Sequence, residues 1–456
     1  MKKWTIIILG ITGDLSKRKL LPALYALLRA GLQDCVIIGT GREDVTADDI
    51  LNAARPFVAD PTDELDRRFR DMLVYQPLLF SSRDDFEKLA TLITEVEHER
   101  NLPHHRIAYL ATATQFFCDI TSALVDTGII KARDLNQRVV YEKPFGSDLA
   151  SAQEINACIK AHLSEKQVYR IDHYLAKEFT NNLLLLRYSN TLFKAIWDNK
   201  SIESVRIIFH ETLTVEGRGA FYDQYGALKD VVQNHMLQLL ALVAMEAPTS
   251  LDADAIRDKK SDILKHVRII DGVRGQYEGY TDEPDVRADS QTETFAVLNV
   301  EVDHPMWEGV PFFLETGKAL AQKTTEIELT LKPMEQCLWS PTSRCESNVL
   351  RIHITPEEGF SLRINSKKPG TIRDIMAVDF DFSYKAIYGP TSPEAYEILF
   401  AEIMRGEQSM VVRFDEVEYQ WRIMATADAL NMPLFVYKKG SKGPQQRLTV
   451  YGKEVE

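Results

Sequence analysis

The stretch that most restricts the fold lies at the start of the chain. Ile6-Ile-Ile-Leu9 is a short apolar run, Gly10-Ile-Thr-Gly13-Asp-Leu-Ser16 follows without a break, and Leu20 to Ala30 carries apolar residues at helical spacing. A strand, a small-residue turn and a helix in that order form the opening of a βαβ unit, in which the turn lets backbone approach a pyrophosphate and the helix N-terminus offers free N–H groups. The spacing departs from G-x-G-x-x-G and Ser16 stands at its last position, so the turn carries weight only through the strand and helix around it. Apolar runs at Cys35 to Gly39, Arg106 to Ala111 and Arg138 to Tyr141 read as further strands. Ala47 to Phe57, Asp84 to Arg100 and Phe116 to Thr127 read as helices between them. Continuously apolar strands alternating with helices predict a parallel sheet covered on both faces.

After about residue 200 the pattern changes. Val205 to Phe209, Phe295 to Val302, Ile327 to Leu331, Leu350 to Ile354 and Phe360 to Ile364 follow one another as strand candidates, the last two joined by the hairpin loop Thr355-Pro-Glu-Glu-Gly359. A mainly antiparallel sheet is expected, with helices at Lys229 to Met245, Pro393 to Arg405 and Phe414 to Ala429 packed on it, and a loop from Val273 to Ser290. The 456 residues exceed one ordinary core. We divide them into a Rossmann-like dinucleotide-binding domain at 1–175 and a larger sheet-and-helix domain at 176–456, for substrate binding and oligomerisation. The net charge of −13 argues against nucleic acid as the main partner. Five cysteines without CxxC pairing fit a reducing compartment and no zinc site. The first apolar run is too short for a signal peptide and leads into a glycine turn, and no apolar stretch approaches the roughly 18 residues of a span, so a cytoplasmic protein is expected.

Several polar clusters sit within this frame. Gly39-Thr-Gly-Arg42 ends the second strand with a guanidinium where NAD enzymes carry an acid for the ribose hydroxyls. That suits the 2′-phosphate of NADP, while the adjacent Glu43 softens the preference and leaves NAD as a weaker alternative. Tyr141-Glu-Lys-Pro-Phe-Gly146 closes another strand with a candidate cis proline and turns Lys143 toward cofactor and substrate. Arg170-Ile-Asp-His-Tyr-Leu-Ala-Lys-Glu178 packs carboxylates, an imidazole, a phenol and cations together, donors suited to a phosphate beside an acceptor suited to a histidine. In Asp230-Val-Val-Gln-Asn-His-Met-Leu-Gln238, His235 lies beside an apolar helical stripe, where the residues alone allow either a core histidine or a base. No metal-ligand constellation is read.

The 170–178 string, together with the D-V-x-Q-N-H helix, resembles the glucose-6-phosphate dehydrogenase family over almost the whole chain, departing at Ala176, where Gly is usual, and at Leu21, where Tyr is usual. The resemblance implies oxidation of β-D-glucose 6-phosphate with reduction of NADP, with His235 as general base and Asp172 as its carboxylate partner. It further implies that His173, Tyr174 and Lys177 hold the phosphate, and that Glu211 and Asp230 contact sugar hydroxyls. Lys19, Lys143, Lys318 and Lys323 would approach the substrate, and Gly10, Thr12, Gly13, Asp14, Leu15, Arg42 and Lys143 the cofactor. A homodimer or homotetramer formed through the large sheet is implied as well. The glucose–fructose type of sugar oxidoreductase, which shares E-K-P turns, is the rival reading.

Overall fold

The computed structural model describes residues 3–32, 35–335, 337, 345–372, 374–389 and 393–452. Two compact units divide the chain. The first comprises Met1–Ala176, Leu251–Arg257 and Pro393–Glu418, and the second Lys177–Ser250, Asp258–Ser392 and Tyr419–Glu456. A single cut at 175/176 does not express this, because two later segments return to the first unit.

In the first unit, strands β1 (Trp4–Leu9), β2 (Cys35–Gly41), β3 (Leu73–Pro77), β4 (Arg106–Leu110), β5 (Gln137–Tyr141) and β6 (Val168–Ile171) are parallel, in the order β6-β5-β4-β1-β2-β3. Val411–Val412 adds an antiparallel edge against β6. This is the doubly wound order, whose crevice opens between β1 and β4 at the C-terminal ends of the strands. Both faces are covered, as apolar residues pointing to both sides of the central strands require. Helices Arg83–Glu99, Phe117–Asp126 and Leu149–His162 close one side through Phe86, Ile93, Phe117 and Ile159. Helices Leu21–Arg29 and Ala395–Arg405 close the other through Leu24, Tyr396, Phe400 and Ile403. The helix Asp63–Met72 was not among the expected helices, although Leu65, Phe69 and Met72 stand at helical spacing in an otherwise charged sequence.

The second unit contains β7 (Ile202–His210), β8 (Val267–Tyr277), β9 (Phe295–Val302), β10 (Phe312–Gly317), β11 (Thr324–Leu331), β12 (Val349–Thr355), β13 (Gly359–Lys367) and β14 (Ile375–Ser383). Their order is β14-β13-β12-β11-β7-β10-β9-β8, followed by the strand Leu434–Tyr437. Most pairs are antiparallel, including the β12–β13 hairpin, while β10 runs parallel to β7 and Leu434–Tyr437 parallel to β8. The expected loop from Val273 is corrected up to Tyr277, because β8 is paired on both sides and tertiary pairing overrides its glycines and acids.

The cysteine reading is also corrected. Cys118 and Cys158 are joined as a disulfide between two helices of the first unit, Cys337 and Cys345 form another, and Cys35 is buried. Among the described residues, no helix is long and apolar enough to cross a membrane.

Candidate active site

The first unit presents its functional groups from the C-terminal ends of parallel strands. After β1 the chain turns at Gly10, whose φ is +92°, and a Cβ there would lie 2.5 Å from the carbonyl oxygen of Ala111, just beyond β4. Only glycine lets these two loops meet at the crevice. The N–H of Gly13 donates to the Gly10 carbonyl at 3.0 Å and the Ser16 hydroxyl donates to the same oxygen at 3.0 Å. Ser16 therefore stabilises the turn from inside, which explains a serine at the motif's last position. Thr12 and Gly13 lie in the turn, and Asp14 and Leu15 begin the helix, their N–H groups among the unsatisfied donors of its first turn. That cradle fits a dinucleotide pyrophosphate. Arg42 is exposed immediately after β2. Lys19 is exposed on the first helix, 3.6 Å from Glu394, in a solvent-facing pair of little energetic weight.

Lys143 follows β5, half-buried, with a cis bond to Pro144. Thr114, beyond β4, donates to the Pro144 carbonyl at 2.9 Å and ties this turn to the neighbouring loop. Glu142 is buried and accepts from the hydroxyls of Tyr109 at 2.5 Å and Tyr396 at 3.2 Å. Burial holds its carboxyl above the usual range, against the pull of those two phenols. After β6, Asp172 is 2% exposed and accepts the N–H of Tyr174 at 3.0 Å, a short turn that leaves His173 and Tyr174 side by side, ring centres 4.8 Å apart. The His173 ring also stacks near Tyr396, at 6.3 Å. Sequence reasoning missed Tyr396, which reaches this turn from a segment far down the chain.

The second unit builds its cluster from side chains. Because β7 and β10 are parallel and Gly317 pairs with His210, Glu211 and Lys318 emerge side by side from the ends of adjacent strands. The Lys318 ammonium is ion-paired with Glu211 and lies 5.2 Å from the ring centre of Tyr222. Burial raises the Tyr222 phenol well above its ordinary value, and the carboxylates of Asp230, Glu293 and Glu211 add to the shift. Tyr222 thus marks a place where three carboxylates converge. Neither Tyr222 nor Glu293 carries a local signal in the sequence. Lys177 sits just ahead of helix Glu178–Ser189 and accepts from Thr180 through its carbonyl; Lys323, ahead of β11, is exposed.

Asp230 and His235 share the segment Leu228–Met236, which is wound as a π-helix; at its end the N–H of Leu237 reaches the carbonyl of Val232, five residues back. On an α-helix, residues five apart lie roughly 140° apart around the axis. A helix closed by i→i+5 bonds makes about one turn in that interval, which leaves them about 50° apart. The winding therefore brings the carboxylate and the imidazole onto one face. His235 is 3% exposed, its ring parallel to that of Phe209 on β7 at 6.4 Å. A buried imidazole held against a sheet has one orientation to offer, as a general base requires.

A doubly wound dinucleotide half and a half that gathers acids, a lysine and a buried histidine define a nicotinamide-dinucleotide-linked oxidoreductase. Residues 7–182 match the family model "Glucose-6-phosphate dehydrogenase, NAD binding domain" and residues 184–455 match "Glucose-6-phosphate dehydrogenase, C-terminal domain". The chain belongs to the glucose-6-phosphate dehydrogenase family. It is 36% identical to glucose-6-phosphate 1-dehydrogenase 5, cytoplasmic, of Arabidopsis thaliana, over 97% of this chain and 89% of the relative. It is 34% identical to glucose-6-phosphate 1-dehydrogenase of Bacillus subtilis (strain 168), over 97% and 96%. A solved glucose-6-phosphate dehydrogenase in complex with its substrate glucose-6-phosphate superposes with a TM-score of 0.92 at 33% identity, covering 100% of this chain and 98% of that one.

Proposed function

We propose that this chain oxidises β-D-glucose 6-phosphate to 6-phospho-D-glucono-1,5-lactone with hydride transfer to NADP, the first step of the oxidative pentose phosphate pathway. The observation that carries the proposal is the family match across both halves, joined in the second half to a buried histidine and an aspartate on one helix face. Oxidation removes the anomeric hydroxyl proton while hydride leaves the same carbon. The two electrons go with the hydride and the proton goes to the His235 imidazole, with Asp172 as the carboxylate that fixes its tautomer and stabilises the imidazolium. NADP supplies the hydride acceptor when bound, its pyrophosphate held by Gly10, Thr12, Gly13, Asp14 and Leu15 and its 2′-phosphate by Arg42.

His173, Tyr174 and Lys177 bind the sugar phosphate; Glu211 and Asp230 accept from sugar hydroxyls. Lys143, Lys318, Lys323 and Lys19 supply positive charge around the substrate. In this reading the first unit serves the cofactor and the second the sugar and self-association. The protein works in the cytoplasm as a homodimer or homotetramer formed through the large sheet, and a plant relative named as cytoplasmic supports the compartment. The test is formation of reduced nicotinamide by purified protein with glucose 6-phosphate. Turnover with NADP exceeding that with NAD is expected, and absence of turnover with both would overturn the proposal.

A further inference from the structure

The π-wound segment Leu228–Met236 begins at an abrupt break. Gly226, at φ +61° and ψ −177°, interrupts the preceding helix Gly219–Ala227, so the new helix starts with its own exposed first-turn donors. Two of those donors meet one residue distant in sequence, although the N–H of Leu228 also reaches the Tyr225 carbonyl of the preceding helix. The carbonyl of Glu293 accepts the N–H of Ala227 at 3.0 Å, and its side-chain Oε1 accepts the N–H of Leu228 at 3.1 Å. Glu293 is therefore an N-terminal cap delivered from the lead-in to β9, across 65 residues of sequence. A Cβ on Gly226 would come within 2.2 Å of Glu293 Oε1, so the break and the cap fit each other by contact.

We propose that Glu293 is a positioning residue for the proposed dehydrogenase reaction. By capping Leu228 it fixes the start of the helix, and so the rotation that presents Asp230 and His235 together. Glu293 also faces cations, its Oε2 lying 3.9 Å from the Arg274 guanidinium with Lys229 nearby, and the proposed action is through hydrogen-bond reach rather than these charges. Glu293 is 7% exposed and its carboxyl lies above its ordinary value through burial, which agrees with a group used for its acceptor oxygen. The inference rests on the assignment of His235 as base, and the variants are compared with the wild-type protein so that the two can fail separately.

Two conservative substitutions separate reach from charge. Glu293→Gln keeps the acceptor at the same distance and loses the ionisable group; Glu293→Asp keeps the carboxyl and withdraws it by one methylene. Glu293→Gln should retain wild-type kcat within about twofold and Glu293→Asp should lose about tenfold, the scale of a lost cap expressed in the transition state. Nucleotide Kd, set by the first unit, should stay unchanged in both, which a general loss of folding would not allow. Wild-type kcat in Glu293→Asp, or a glutamine variant as impaired as the aspartate one, would overturn the proposal. A wild-type protein inert toward glucose 6-phosphate would instead overturn the functional assignment.

Discussion

The two halves make their sites by different means. In the parallel sheet, groups stand where strands end: the Gly10 turn after β1, Arg42 after β2, Lys143 after β5 and Asp172 after β6. What that end offers is mostly backbone N–H groups and closely approaching loops, since a Cβ on Gly10 would lie 2.5 Å from the Ala111 carbonyl oxygen. In the mixed sheet the groups come from strand ends, a π-wound helix and the approach to β9, and their mutual placement rests on side-chain contacts such as Lys318 with Glu211 and Glu293 with Leu228. A site of backbone tolerates many side-chain changes and fails on a Cβ. One made of side chains fails at single residues.

Breaking the second half should have the largest effect. His235→Asn is expected to lower kcat with glucose 6-phosphate by about 10³-fold while nucleotide Kd holds, the scale of a lost general base; steady-state rates beside fluorescence titration of the nucleotide check both. Next, Lys318→Met should cut kcat/KM roughly 10–100-fold by removing a charged hydrogen bond worth about 1.5–3 kcal/mol. It should also leave nucleotide affinity intact, whereas a shared loss would merge the two halves.

In the first half the expected effects are smaller and fall on the cofactor. Gly10→Ala should cost about 1–3 kcal/mol of stability, from backbone strain and the clash with Ala111, and should weaken both nucleotides together; thermal melts and titration report this. Arg42→Ala should weaken NADP about tenfold and leave NAD nearly unchanged, since only the former carries a 2′-phosphate. Equal weakening would remove the guanidinium from cofactor choice.

The smallest effect is on pH dependence. Burial raises the Glu293 carboxyl above 4.5, so its contribution to stability is full below that value and is lost as pH rises through the raised one. Glu293→Gln cannot ionise, and its thermal midpoint relative to wild type should therefore gain as pH rises from about 4.5 through the raised value. A constant difference would show that Glu293 does not titrate in that window.

Legibility from sequence follows the same divide. Most of the parallel sheet was readable because its central strands carry apolar runs and the turns after them their own polar residues, whereas the edge strand Leu73–Pro77, partly exposed and ending in Gln76 and Pro77, carried no such run. The π winding from Leu228 was not, because an apolar stripe at Val232, Met236, Leu239 and Leu240 suits an ordinary helix too, and its start depends on Glu293, far along the chain. Tyr222 and Tyr396 were missed for the same reason. Their roles come from contacts between distant segments, which no local pattern encodes. The disulfides were misjudged because spacing alone does not reveal that Cys118 and Cys158 face each other from neighbouring helices.

The most direct test of the account is the ratio of kcat/KM for glucose 6-phosphate to that for glucose, measured with NADP on the unmodified protein. A phosphate held by His173, Tyr174 and Lys177 predicts a ratio above about 10³, from charge-assisted hydrogen bonds worth several kcal/mol together. Comparable rates on the two sugars would contradict it and place this chain among dehydrogenases that do not read the phosphate.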